Sequence, residues 1–173
     1  HSAFTSLNDL PKTSKASTRS FKKTIVPSLI IIWISIQFLI PMRHLIIPGN
    51  VNWTNEGHYF SWRMKLNNKE AEGTFTITDK INKLSWNLDS RLFLTELQYE
   101  TMMTRPNLIL QFTKYVEHNL NNNGYSDISI KTNINMSLNG NPNKPLIDKN
   151  MDLTKVSSKW LTHSEWILNE KRN

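Results

Sequence analysis

Residues 127–138 read DISIKTNINMSL. Ile128, Ile130, Ile134, Met136 and Leu138 fall on alternate positions, with Thr132 among them and polar residues between. Successive side chains of a strand point to opposite faces, so this spacing predicts a strand with one apolar and one wet face. A single apolar face is the mark of an antiparallel sheet. The next residues, Asn139-Gly140, are a strong hairpin signal and predict a turn into the short segment KPLID. Upstream, EGTFTIT sets Phe75 and Ile77 opposite Thr74, Thr76 and Thr78, and KLSWNL puts Leu84, Trp86 and Leu88 on one face. The strictest alternation is HYFSWRMKL, residues 58–66. It predicts a first strand with Phe60, Trp62, Met64 and Leu66 buried and Tyr59, Ser61, Arg63 and Lys65 wet.

A helical block lies between these strands. It starts near Thr95 and breaks near Pro106, which suits the first position of a second helix, where its missing N–H does no harm. In PNLILQFTKYVEHNL the apolar positions 108, 109, 112, 115, 116 and 120 form a stripe of helical period, and Gly124 is a stop. Antiparallel strands with one apolar face, packed with two helices, give an α+β domain over residues 42–168.

The N-terminal part has a different character. Residues 1–23 are polar, basic and Ser/Thr-rich, which predicts a loop or tail. TIVPSLIIIWISIQFLIP, residues 24–41, carries no charge. Its 18 residues span roughly 27 Å as a helix, enough for a bilayer core. Pro27 falls in the expected first turn, and Ser28, Ser35 and Gln37 suggest a face against other helices. A buried core helix seldom lacks charge on every face. A signal peptide would start earlier and end in small residues. The expectation is therefore an integral membrane protein with one transmembrane helix. Lys22 and Lys23 put its start in the cytoplasm and residues 42–173 outside it. Asn52-Trp53-Thr54 and Asn135-Met136-Ser137 match the glycosylation sequon. Residues 169–173 form a short tail.

The formal charge is +7 over 173 residues, unevenly spread. Residues 1–24 carry five Lys/Arg against one Asp, and the rest carries sixteen against thirteen acids. A basic tail beside an apolar helix suits anionic lipid headgroups, so a membrane and not a nucleic acid is the expected partner. The absence of cysteine excludes disulfides, thiolate metal sites and cysteine nucleophiles. The five histidines, at 1, 44, 58, 118 and 163, are nowhere at metal-ligand spacing, so no metal is expected. No glycine pattern for phosphates and no serine nucleophile elbow is present.

RHLIIPGNVNWTNEGHYFSWRMKL, residues 43–66, concentrates histidine, arginine and tryptophan just past the apolar run. One reading is an interfacial belt of aromatic and cationic side chains. The other is a cleft at the membrane surface, lined by Arg43, His44, His58 and Arg63. Such a cleft would accept a carboxylate on one side and a lipid-soluble reactant on the other.

Pro41-Met42-Arg43-His44, Pro48-Gly49-Asn50-Val51-Asn52-Trp53-Thr54, Glu56-Gly57-His58 and Phe60-Ser61-Trp62-Arg63-Met64 stand in an order that resembles the vitamin K-dependent γ-glutamyl carboxylase family, the group with an HTTM membrane domain. The likeness continues through Gln111-Phe112, Ser137-Leu138-Asn139-Gly140, Leu146-Ile147-Asp148 and Met151-Asp152-Leu153, covering about residues 37–168. The resemblance implies a lyase that deprotonates vitamin K hydroquinone or a related quinol and adds dioxygen. The resulting alkoxide takes the γ-proton of a peptide glutamate, and the carbanion takes up carbon dioxide. The family's catalytic lysine and histidine lie in preceding membrane spans and have no counterpart in these residues. The resemblance thus implies the last span and C-terminal domain of a longer enzyme, inactive alone, whose partners are those N-terminal spans and a glutamate-containing peptide or protein. It associates the segment at 58–66 with substrate, so His58, Tyr59, Ser61, Trp62 and Arg63, with Arg43 and His44, are the expected binding residues. The sequence departs from the animal enzymes, which carry an acidic residue where Arg63 stands and a disulfide to the membrane part. Two alternatives stay open: quinol epoxidation without carboxylation, and a membrane-tethered peptide-binding module.

Overall fold

The computed structural model describes residues 17–64 and 66–170. The chain divides into two units, residues 1–40 and 41–173.

The first unit carries helix α1, Ser17–Met42. It starts at Ser17 rather than Thr24, so residues 17–23 of the expected polar tail are helical, while residues 1–16 lie outside the described part. Pro27 consequently sits in the helix interior and not its first turn, where its ring removes one backbone hydrogen bond. Ile25–Leu45 has a mean hydropathy of 2.2 and is almost wholly exposed. It is long and apolar enough to cross a membrane. Ser35 donates to the Ile31 carbonyl at 2.8 Å, so its hydroxyl is satisfied within the helix.

The second unit is built on an antiparallel sheet in the order β2-β1-β3-β4. Its strands are β1 (Lys69–Asp79), β2 (Leu84–Leu88), β3 (Ile128–Leu138) and β4 (Lys144–Pro145). The long central pair is in register with Ile77 opposite Ile130 and Gly73 opposite Ile134. A Cβ on Gly73 would lie 2.3 Å from the Asn133 carbonyl oxygen, so only glycine lets the two strands close here. Asn139 and Gly140 both take positive φ, 54° and 76°, as the tight turn into β4 requires.

Two helices cover the apolar face of the sheet, α3 (Glu96–Met103) and α4 (Pro106–Asn122). Thr95 caps α3 in a reciprocal box with Gln98, and Pro106 opens α4. Tyr99, Met102, Met103, Ile109, Phe112 and Val116 close on Phe75, Ile77, Ile130, Ile134 and Met136 to form the core. Phe75 meets Phe112 edge-on, with ring centroids 5.2 Å apart. Of the predicted α4 stripe, Tyr115 is exposed, and Leu110 and Thr113 are buried in its stead. A one-turn helix, α2 (Val51–Thr54), buries Trp53, whose Nε1 donates to the Leu168 carbonyl at 2.9 Å. The C-terminal segment contributes Leu146, Ile147, Leu153, Trp166 and Ile167 to the core without regular periodicity.

Residues 58–66 do not form the expected strand. Asn55, Gly57 and Phe60 take positive φ of 58°, 70° and 60°. The Ser61 N–H and Oγ both donate back to the His58 carbonyl, at 3.2 and 2.7 Å. The cause is a close crossing. A Cβ on Gly57 would lie 2.9 Å from the His44 Cα, so the chain turns sharply as it passes the 3-10 turn Arg43–Leu45 and cannot run extended. The expected buried face is exposed, with Phe60, Trp62, Met64 and Leu66 at 70–82 %; of the expected wet face, Tyr59 is exposed and Ser61 and Arg63 are half-buried. Lys65 lies outside the described residues.

Candidate functional site

Arg43 opens the 3-10 turn that follows α1, and the fold buries it to 5 % exposure. Its Nη2 donates to the Tyr59 carbonyl at 3.0 Å, and its Cζ lies 4.4 Å from the centre of the Trp160 ring. Its Nε and Nη1 are buried with no hydrogen-bond partner. Burial lowers its pKa, yet a guanidinium stays protonated throughout the physiological range. The result is a buried cation with two idle donors and no acidic partner among the described residues. An uncompensated buried charge is costly.

Arg43 is part of the wall of a cavity of about 220 Å³, together with Glu56, Tyr59, Asn107, Lys159 and Trp160. Pro106 and Asn107, in the first turn of α4, add the positive end of that helix. Tyr59 is fixed at both ends, through its carbonyl by Arg43 and through its hydroxyl, which accepts from Asn107 Nδ2 at 2.9 Å. Glu56 supplies a carboxylate to the wall, but both its oxygens are used. Oε2 is 2.5 Å from His163 Nδ1, and Oε1 accepts the Ser164 N–H at 2.8 Å. The Asn169 amide lies 3.0 Å from His163 Nε2. This network ties the segment that carries Lys159 and Trp160 to the loop after α2. The cavity thus carries the Arg43 cation in its wall, beside a Lys159 that is paired with Glu165 at 3.4 Å, and a small anion, a carboxylate foremost, suits it.

The expected binding residues do not all meet here. Arg43 and Tyr59 line this cavity, while His58, with Tyr59, lines a neighbouring one. His44 Nδ1 lies 2.8 Å from the Pro41 carbonyl and faces neither. Arg63 Nη2 donates to Asn52 Oδ1 at 3.0 Å, the Ser61 hydroxyl is bonded to His58, and Trp62 is 70 % exposed. Reading the sequence missed Asn107, Lys159, Trp160 and the Glu56–His163 pair. Glu56 stood inside the quoted motif. Nothing local marks SSKW, residues 157–160, as a wall of a site that starts at Arg43.

A separate apolar groove of about 550 Å³ runs between α3 and α4, lined by Leu97, Met102, Leu108, Phe112 and Tyr115 among others. Among the described residues no group of three or more His, Asp or Glu gathers as a metal site would require.

A family model described as vitamin K-dependent gamma-carboxylase, lumenal domain, matches residues 22–173. No curated protein and no solved structure matches the chain.

Proposed function

This chain belongs to the family of the vitamin K-dependent gamma-carboxylase lumenal domain, and from that premise we propose that it seats the glutamate side chain of a peptide for carboxylation. The observation that carries the reading is the pair of idle, buried donors on Arg43. A peptide carboxylate entering the cavity would pair the Arg43 charge once the guanidinium turns its idle donors toward it. A hydrogen bond to a charged group contributes about 1.5–3 kcal/mol, enough to orient the substrate. Pairing the carboxylate with a guanidinium also spreads the negative charge that opposes loss of the γ-proton. Tyr59 and Trp160 frame the cavity, and His58, Ser61, Trp62 and Arg63 shape the loop that carries Tyr59.

Vitamin K hydroquinone supplies the strong base in such a reaction. It does not fit the Arg43 cavity, whose volume of about 220 Å³ is small for a naphthoquinol with its isoprenoid tail. The apolar groove between α3 and α4 offers no carboxylate, histidine or lysine to accept the quinol's proton. We therefore assign this chain substrate binding and place quinol chemistry in other parts of a longer membrane enzyme. Residues 24–41 would span the membrane and residues 42–168 would face the lumen.

The test is incubation of membranes containing the protein with vitamin K hydroquinone, a glutamate peptide and labelled carbon dioxide. Label in the peptide together with quinone epoxide supports the carboxylase reading. Epoxide without label would leave quinol oxygenation alone. Peptide binding with neither product would make the chain a tethered binding module. Arg43→Gln should raise the peptide's KM about tenfold or more, the loss of roughly one charge-assisted contact.

A further inference from the structure

Tyr59 is a partition between two cavities. On one side lies the Arg43 cavity; on the other lies a second one of about 260 Å³, lined by Asn55, His58, Tyr59, Phe60 and Arg105. Asn55 and Tyr59 belong to both. Arg105 caps α4 with its backbone, its carbonyl accepting from Leu108 and Ile109 at 2.9 and 3.1 Å. Arg105 is half-buried, and its guanidinium has no hydrogen bond or ion pair among the described residues. The walls are firm: Asn55 Nδ2 donates to the Thr104 carbonyl at 3.2 Å, and Asn55 Oδ1 accepts from Lys69 Nζ at 3.1 Å. No acid lines this second cavity, and the only one lining the first is Glu56, whose oxygens are engaged. An arginine therefore lines each of two cavities that meet at Asn55 and Tyr59.

We propose that the Arg105 cavity is a second carboxylate subsite, so that the chain selects peptides carrying two acidic side chains, one on each side of Tyr59. This rests on the reading of Arg43 as the seat of the first carboxylate. A planar guanidinium suits a carboxylate through two parallel hydrogen bonds. Once the first carboxylate is seated, the second is held at high effective concentration by the peptide itself. Arg105 is more exposed than Arg43, so its contribution is the smaller and acts as selectivity among acidic peptides.

The test uses the protein in detergent-solubilised membranes and fluorescent peptides read by anisotropy. One peptide carries a single Glu among Gln and Ala. A series adds a second Glu at increasing separations. We expect the best two-acid peptide to bind about tenfold tighter than the one-acid peptide. Arg105→Gln should bring that ratio close to one, and Arg105→Lys should leave it intermediate. Lys131→Gln, the same charge change on the exposed side of β3, should leave the ratio intact. The proposal is overturned if no separation gives an advantage, if Arg105→Gln leaves the ratio unchanged, or if Lys131→Gln erases it equally. Failure of the first reading looks different: Arg43→Gln would leave the one-acid peptide's affinity untouched, whatever the ratio does.

Discussion

Glu56 and His163 are far apart in sequence, yet Oε2 and Nδ1 lie 2.5 Å from each other, with the Glu56 side chain 8 % exposed. The contact holds the 157–168 segment, and with it Lys159 and Trp160, against the loop that carries Tyr59. Glu56→Ala leaves the Ser164 N–H and the His163 ring without their acceptor. It should cost about 1–3 kcal/mol of stability, with Glu56→Gln costing less. Hydrogen exchange of backbone amides should rise across residues 157–168 in Glu56→Ala and stay low in β1 and β3. Unchanged exchange in that segment would remove Glu56 from this role.

Trp53 and Trp62 stand nine residues apart in the same motif and should behave in opposite ways. Trp53 is 2 % exposed and bonded to the Leu168 carbonyl, whereas Trp62 is 70 % exposed. Trp53→Ala should cost about 3–5 kcal/mol, the usual loss for a buried tryptophan. Trp62→Ala should stay within about 0.5 kcal/mol of the parent protein. Thermal unfolding in detergent measures both. A large loss at Trp62 would restore the strand that alternation at 58–66 suggested.

The contrast shows which part of the fold was legible. β3 reads correctly because its alternation is flanked by a true hairpin turn, and Phe75 and Ile77 read correctly because β1 pairs with it along its whole length. Thr95 and Pro106 mark helix starts through chemistry that acts within four residues. The segment 58–66 misleads because alternation reports only a side-chain rhythm. What decides its path is the crossing of Gly57 over His44, a contact between distant residues. Of the site, Arg43 and Tyr59 were legible as part of a motif. Trp160 and Lys159 were not, since they come to Arg43 only through the Glu56 network.

Asp79 gives a pH signature. Its side chain accepts from Asn82 Nδ2 at 2.7 Å and from the Ile81 and Asn82 N–H groups at 2.9 and 3.2 Å. The Asn82 side chain above all holds the carboxyl below the ordinary aspartate range. A carboxyl depressed in the folded state contributes stability that is whole above its unfolded pKa, about 3.9, and is lost as pH falls through the folded value. Stability should therefore fall below about pH 4, and Asp79→Asn should flatten that part of the curve while lowering stability near neutrality. Parallel curves for the two proteins would count against the assignment.

Arg43 should show a conflict between stability and binding. The fold holds this charge at 5 % exposure with two donors idle, compensated among the described residues by the Tyr59 carbonyl and the Trp160 ring. Arg43→Met keeps much of the side chain's length and removes the charge. It gives up the charge-assisted bond to the Tyr59 carbonyl and the stacking on Trp160, a loss of about 2–5 kcal/mol. Relief of the stranded cation acts in the other direction, as replacement of buried ionic groups by apolar ones often does, by about 1–4 kcal/mol. The two effects nearly offset, so the variant should unfold within a few degrees of the parent. Its affinity for a glutamate peptide should nevertheless fall at least about tenfold. Saturating glutamate peptide should raise the melting temperature of the parent and leave that of Arg43→Met unmoved, because only a ligand that binds the folded state stabilises it. A variant that both melts early and still responds to the peptide would show that Arg43 holds the fold and not the substrate.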